Sequence, residues 1–75
     1  MLSVRDLMAL RLAAAPYKYP GARETDVREQ LGMSAVIFFR HVDRLLDDPE
    51  ALAAMPVEVN RLRRIRDRRR RARAA

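Results

Sequence analysis

Two arginines in the middle of this sequence are placed to do chemistry with a polyanion. Arg40 and Arg44 lie four residues apart, so they share one side if residues 34–47 form a helix. Val36 and Ile37 fall on that same side, where apolar residues would otherwise face water. In the major groove of DNA, arginine can pair with guanine O6 and N7, and valine or isoleucine can contact a thymine methyl group. We therefore predict that these four side chains face bases or phosphates.

A second set of arginines lies at the C-terminal end. Residues 61–75 contain nine arginines and one aspartate, a net charge of +8, whereas residues 1–60 carry −2, which together give the +6 of the whole chain. This asymmetry predicts a polyanionic partner. Phosphate contacts by about five arginines would give a log–log salt slope of roughly −4 to −5, with added affinity but no sequence preference. The arginines expected to follow the phosphate backbone are Arg61, Arg64, Arg68, Arg69 and Arg71.

Both arginine sets have other interpretations. The C-terminal run also fits a solvated helix face, a tail that confers solubility, or a surface for RNA, an acidic protein or, in a eukaryote, the nuclear import machinery. Exposed Val36 and Ile37 also fit a protein-interaction module. Such a module would dock on RNA polymerase, other transcription machinery or another large complex, including an RNA-containing one. Binding to DNA phosphates is the most economical of these interpretations.

Residues suited to catalysis or metal binding are scarce. His41 is the only histidine, Ser3 and Ser34 are the only serines, and there is no cysteine. These residues provide no Ser/His/Asp set, metal-ligand cluster or glycine-rich phosphate loop. We therefore predict that the protein is not an enzyme and uses no cofactor and no metal. His41 borders the core side of its helix, so we expect it to pack or lie at the surface rather than to contact DNA.

A helix and a tight turn must position the central arginines. The spacing of Val27 and Leu31 predicts a second helix over about residues 22–31. Gly32 follows at a position where a left-handed helix stop favours glycine, which has no Cβ to clash. Ser34 can then cap the third helix by accepting a backbone N–H, and a helix N-terminus also suits a phosphate.

Helix, three-residue turn and helix form the helix-turn-helix arrangement of DNA-binding proteins. Ordinary packing of two helices is the other interpretation of this pattern. Arg28 occupies an inner position of the second helix that a small residue usually fills. Its stem must therefore extend outward, or the two helices must cross less closely.

The N-terminal part predicts one further helix and a loop. Ser3 and Asp6 form an approximate capping box for a first helix, which Pro16 ends. Two prolines and a glycine in residues 16–21 predict a loop. We expect its two tyrosines to pack at the core edge with their hydroxyls in water. Contact of Lys18 and one tyrosine with a phosphate is the alternative.

Two helices follow the third one. Asp48 and Pro49 open a short fourth helix, and Pro56 opens a fifth, because proline suits the first helical position. Residues 66–75 are expected to continue as a frayed helix or to be disordered. The side chains of the fifth helix expected to dock on the body are Val57, Val59, Leu62 and Ile65. The core side of the third helix is predicted to contain Ala35, Phe38, Phe39, Val42, Leu45 and Leu46.

These observations predict an all-α fold. We expect a helix-turn-helix domain over residues 1–60, made of a three-helix core and a short fourth helix, and a basic C-terminal helix or tail over residues 61–75. Seventy-five residues suffice for one domain. The lack of cysteine fits a reducing interior, and the sequence contains neither a run of about 20 apolar residues nor a secretory signal. We therefore expect a cytoplasmic protein that does not bind membranes.

Four segments of the sequence occur together in a known family. They are K-Y-P-G-A-R-E (residues 18–24), L-G-M-S (31–34), D-D-P-E-A-L-A-A-M-P (47–56) and R-L-R-R-I-R (61–66). Over roughly residues 16–73 the chain resembles short, largely uncharacterised actinobacterial proteins with a helix-turn-helix and an Arg-rich C-terminus. The resemblance implies a bacterial, cytoplasmic setting at the nucleoid. It also implies a DNA-binding role, as a transcription regulator or a nucleoid-associated protein acting on double-stranded DNA.

Overall fold

The computed structural model describes residues 1–74, which form five α-helices with no strand among them. In chain order the helices are α1 (Val4–Ala14), α2 (Pro20–Leu31), α3 (Ala35–Leu46), α4 (Pro49–Ala54) and α5 (Pro56–Ala74). α1 packs against α3, and α2 and α5 each pack against both of them, while α4 contacts α3 and α5. The predicted all-α class is therefore confirmed.

The turn between α2 and α3 has the predicted caps. Gly32 adopts a left-handed conformation with φ of 66° and ψ of 25°, which ends α2. The hydroxyl of Ser34 accepts the N–H of Ile37 at 3.4 Å, which caps α3. The capping box at α1 is also present, because the Ser3 hydroxyl accepts the Asp6 N–H at 3.1 Å and the Asp6 carboxylate accepts the Ser3 N–H at 2.9 Å.

The predicted loop over residues 16–21 was too long. α2 begins at Pro20 instead of Ala22, because Tyr19 is extended and ends the loop. Proline is well suited to a first helical position, where its missing N–H would have no partner within the helix. Residues 20–21 therefore belong to the second helix of the chain.

The two C-terminal helices begin at prolines, as predicted. The Asp48 carboxylate accepts the N–H of Glu50 at 2.9 Å and caps α4, and Pro56 is the first residue of α5. α5 continues without a break to Ala74 and passes through the expected division between residues 60 and 61. The arginine-rich segment is thus one helix with the part that docks on the body.

Apolar side chains from all five helices meet in one core. Phe38 is the largest fully buried side chain, but its neighbour Phe39 remains 43% exposed, so the prediction of Phe39 as a core residue was wrong. One residue further along α3 turns Phe39 about 100° away from Phe38, and their rings meet edge to face at 5.1 Å. Val57 is 73% exposed because it lies about 200° around α5 from buried Val59. The buried core consists of Ala9, Leu10, Leu12, Val27, Leu31, Phe38, Val42, Leu45, Leu46, Ala51 and Val59.

Arginines from neighbouring helices bind the carbonyl groups at helix C-termini. Arg23 of α2 donates to the carbonyl of Leu12 at 3.1 Å and to that of Ala15 at 2.8 Å. Arg63 of α5 donates to the carbonyl of Leu46 at 2.7 Å. The last carbonyls of a helix have no partner within it and form the negative end of its dipole, so a guanidinium there stabilises both the helix end and its contact with a neighbour.

One of the two loop tyrosines, Tyr17, makes a hydrogen bond that the sequence did not predict. Tyr17 packs on the core edge as expected, but its hydroxyl donates to the Asp26 carboxylate at 2.6 Å instead of to water. This hydrogen bond is the main reason why the pKa of Tyr17 is raised above its ordinary value. Arg23 lies over the Tyr17 ring at 4.9 Å, whereas Tyr19 is exposed beside Lys18.

Candidate nucleic-acid interface

The outward side of α3 presents a mixed surface of arginine and apolar side chains. Val36 and Ile37 are 63% and 56% exposed, and Arg40 and Arg44 are exposed beside them. Ile37, Arg40 and Arg44 line one shallow depression together with Asp43. The structure therefore brings together the four α3 side chains that the sequence singled out.

Asp43 places a negative charge among these arginines. It is exposed, and within residues 1–74 no ion pair joins it to Arg40 or Arg44. Arg40 makes no hydrogen bond or ion pair within residues 1–74, and Arg44 contacts only His41, so both guanidinium groups have donors available on the solvent side of α3. An acid within the surface lowers its non-specific attraction for a polyanion and favours partners whose charges are placed to match.

A hydrogen-bonded chain connects the edge of this surface to α1. His41 Nε2 lies 2.8 Å from Asp6 Oδ1, and the Arg44 guanidinium lies 3.5 Å from His41 Nδ1. The Asp6 carboxylate can only accept, so the N–H at Nε2 of His41 donates to it. His41 is half-buried and hydrogen-bonded, as expected of a packing residue. Its partner Asp6 was missed, because the two are 35 positions apart in the sequence.

Asp6 is also an electrostatic anchor of the α1 N-terminus. The backbone N–H of Ser3 is the largest cause of its lowered pKa, and the Ser3 hydroxyl and His41 lower it further, while burial opposes the shift. The carboxylate is consequently the stable form of Asp6 in the folded protein. The charged carboxylate holds His41 in place, and the Arg44 guanidinium lies beside the other ring nitrogen of His41.

Four of the five predicted arginines of α5 form a stripe on its outward side. Arg61, Arg64, Arg68 and Arg71 recur at helical spacing within an arc of about 80°, and all four are exposed. Arg61 also donates to the carbonyl of Ala14 at 3.4 Å. We call these four residues the arginine stripe. Arg69 is exposed as well but lies outside this arc and faces a groove toward α3.

Two arginines that the prediction left out of the site hold α5 to the body. Arg63 caps α3, and Arg66 donates to the Asp47 carboxylate at 3.0 Å. Burial lowers the pKa of Arg66, but Asp47 and Asp67 raise it by more, so its net shift is upward. A signal for Arg66 was present in the sequence, because it lies seven residues after the buried Val59 and shares its side of the helix.

Ser34 stands at the start of the α3 surface. Its hydroxyl oxygen accepts the N–H of Ile37, while its O–H remains able to donate. Among the described residues, no group of His, Cys, Asp or Glu is arranged to hold a metal ion. None of the helices within residues 1–74 has the length and apolar character that crossing a bilayer requires.

Within residues 1–74, the fold is five packed helices with exposed arginines on α3 and along α5. The chain belongs to the family described as "Protein of unknown function (DUF3263)", whose family model matches residues 1–74. No curated protein and no solved structure is significantly similar to it.

Proposed function

We propose that this protein binds double-stranded DNA, with α2, residues 32–34 and α3 acting as a helix-turn-helix. The observation that carries this proposal is the surface of α3, where Val36, Ile37, Arg40 and Arg44 are all exposed directly after a tight, capped turn. Burial of exposed apolar residues against a partner removes them from water and stabilises the complex. An adjacent pair of arginines indicates that this partner is anionic.

Each part of the α3 surface has a role in the major groove. Arg40 and Arg44 are one turn apart and can each pair with a guanine or a phosphate. Val36 and Ile37 provide contacts for thymine methyl groups. Ser34 can donate its O–H to a phosphate at the α3 N-terminus, where the helix dipole also favours an anion.

The packing of the first three helices is compatible with this arrangement. α1 lies against both α2 and α3, as the first helix of a three-helix unit must in order to support the other two. Arg28 is exposed, so its side chain extends away from the crossing of α2 and α3. Arg28 is therefore not the inner residue that the sequence suggested, and it does not hold the two helices apart.

The arginine stripe would supply affinity that does not depend on sequence. Its residues are exposed along one helix, and three of them, Arg64, Arg68 and Arg71, make no hydrogen bond or ion pair within residues 1–74, which suits contact with successive phosphates. Release of counterions from those phosphates makes such binding strongly dependent on salt. Contacts between α3 and the DNA bases would then select among DNA sequences that the arginine stripe binds equally well.

A gel shift with random-sequence duplex DNA tests this function. Retardation at micromolar protein and low salt, reversed as salt is raised, is the expected result. We place the protein at the bacterial nucleoid in the cytoplasm, as a transcription regulator or a nucleoid-associated protein. Genome-wide occupancy of the tagged protein separates these roles, because a regulator gives discrete peaks and a nucleoid-associated protein gives broad coverage.

The exposed apolar residues also favour a second candidate function. Val36, Ile37 and the half-exposed Phe39 are suited to a protein interface, where apolar and aromatic side chains are buried. In this account the protein docks on RNA polymerase or another large complex, including one that contains RNA. Absence of any gel shift at low salt, together with discrete or absent chromosomal occupancy, would favour this second candidate.

A further inference from the structure

A groove of about 320 Å³ runs between α3 and α5 on a side of the molecule that the arginine stripe does not face. Phe39 and Leu46 of α3 and Leu62 and Ile65 of α5 provide apolar lining. Leu62 and Ile65 are only partly buried, and Phe39 is nearly half exposed, so apolar surface remains open to water here. We call this feature the α3–α5 groove.

The charged lining of the α3–α5 groove is strongly positive. Five arginines and one acid, Asp43, contribute to it. Arg69, Arg70 and Arg73 are exposed, and within residues 1–74 they take part in no hydrogen bond or ion pair. Their charges are therefore not balanced within the described part of the protein.

One donor in the lining has no hydrogen-bond acceptor. The Nε–H of Arg66 is buried and, among the described residues, makes no hydrogen bond, although Nε lies 3.5 Å from the Asp67 carboxylate. Asp67 contributes to the raised pKa of Arg66, so its carboxylate balances part of the charge. A partner cannot reach a donor that is this buried, so the exposed Arg69, Arg70 and Arg73 are the donors available to a partner's carboxylates.

We infer that the α3–α5 groove binds an acidic, amphipathic segment of a partner protein, with its apolar side chains on Phe39, Leu62 and Ile65. Charge complementarity supports this occupant, because Arg69, Arg70 and Arg73 can pair with carboxylates beside such a segment. Clustered arginines beside an apolar groove are a known means of recognising acidic motifs and amphipathic helices. The inference does not depend on DNA binding by α3 and the arginine stripe.

Nucleic acid fits this groove less well than an acidic segment does. A sugar–phosphate backbone offers phosphates to the arginines but no apolar side chains to cover Phe39, Leu62 and Ile65. The arginine stripe, by contrast, is exposed and has no apolar groove beside it, and contact with phosphates needs no apolar surface. The two arginine surfaces of α5 therefore differ in the kind of partner they suit.

The test uses a fluorescently labelled synthetic peptide of about 16 residues, with leucines at i, i+3, i+4 and i+7 and glutamates at most other positions. A second peptide has the same charge but serine in place of leucine. Fluorescence polarisation with the full chain should show that the leucine peptide binds roughly tenfold more tightly than the serine peptide. The serine peptide lacks the apolar area that the leucines bury on binding. Equal binding of the two peptides, or no binding, would overturn the inference.

Two matched double variants locate the site on α5. Arg70→Gln with Arg73→Gln removes two charges from the groove, and Arg68→Gln with Arg71→Gln removes two from the stripe at the same end of the helix. Glutamine keeps the helix propensity of arginine, so the helix should persist in both variants. The groove variant should bind the leucine peptide roughly tenfold more weakly, since two charged pairs are lost, and the stripe variant less than about threefold. Equal losses would show general charge attraction and would contradict a site in the groove.

Duplex DNA serves as the second ligand for the same variants. The stripe variant should lose more DNA affinity than the groove variant, the reverse of the order with the peptide. A larger loss of DNA affinity in the groove variant would assign the groove to nucleic acid and overturn the inference. Loss of peptide binding with intact DNA binding would remove this inference alone and leave the proposed function in place.

Discussion

His41 Nε2 of α3 and Asp6 Oδ1 of α1 are joined by a hydrogen bond of 2.8 Å. The same Asp6 carboxylate accepts the N–H of Ser3, so one side chain both caps α1 and holds α3 against it. The surface of α3 that carries Arg44 is therefore fixed to the first helix of the bundle by a polar contact as well as by the core.

Asp6→Asn should destabilise the protein at neutral pH and much less in acid. The folded pKa of Asp6 lies below its ordinary value of 3.8, so its carboxylate stabilises the fold fully above that value. This contribution is lost as pH falls through the folded pKa. Urea unfolding should show a loss of about 1 kcal/mol at pH 7, which shrinks below pH 3.8. Glu24→Gln, at an exposed carboxylate of α2, is the control, and the same loss at every pH would contradict the role of the charge.

Alanine substitution of the two glycines should change the stability of the fold in opposite directions. Gly32 has φ of 66°, so Gly32→Ala should cost about 1–2 kcal/mol through backbone strain alone. Gly21 lies in α2, and an added Cβ meets no atom within 4 Å, so Gly21→Ala should stabilise the fold by about 0.4–1 kcal/mol. Thermal or urea unfolding measures both. A neutral result for Gly32→Ala would mean that the turn after α2 can change its conformation.

Arg40→Ala should change which DNA sequences the protein prefers. An arginine that pairs with a base contributes about 1–3 kcal/mol of discrimination. Selection from a randomised duplex pool, with the wild type and the variant in parallel, measures this. Arg11→Ala, which removes an exposed arginine from α1, should leave the preference unchanged. Identical preferences for Arg40→Ala and the wild type would show that Arg40 does not contact bases.

Arg68→Gln with Arg71→Gln should weaken binding to all duplex sequences alike. Loss of two phosphate contacts should make the log–log salt slope shallower by about 2. The structure makes this variant a better test than removal of residues 66–75, because truncation would also break the ion pair between Arg66 and Asp47. An unchanged slope would show that the arginine stripe does not contact phosphates.

Local sequence signals predicted most of the helix ends. Ser3, Gly32, Ser34 and Pro56 act on the residues next to them, so their effects can be read from a short stretch of sequence. The start of α2 lies two residues before the predicted one, because Pro20 and Gly21 are typical of loops but are also compatible with the first turn of a helix. The first residue of such a helix depends on the conformation of the residues just before it, here the extended Tyr19.

Contacts between distant residues could not be predicted in the same way. The partners of His41, Tyr17 and Arg63 lie nine or more positions away, and only the packing of the helices brings them together. Helical periodicity, by contrast, does distinguish the two sides of α5. Counted from Val59, it places Arg66 and Arg73 on the side of α5 that faces the body and leaves the stripe on the other side.

The central claim is that this chain binds duplex DNA through α3 and the arginine stripe. Fluorescence anisotropy of a labelled random duplex, titrated with the full chain at several salt concentrations, tests it most directly. We expect saturable binding at low salt with a log–log slope of roughly −4 to −5. No change in anisotropy at micromolar protein and low salt would contradict it.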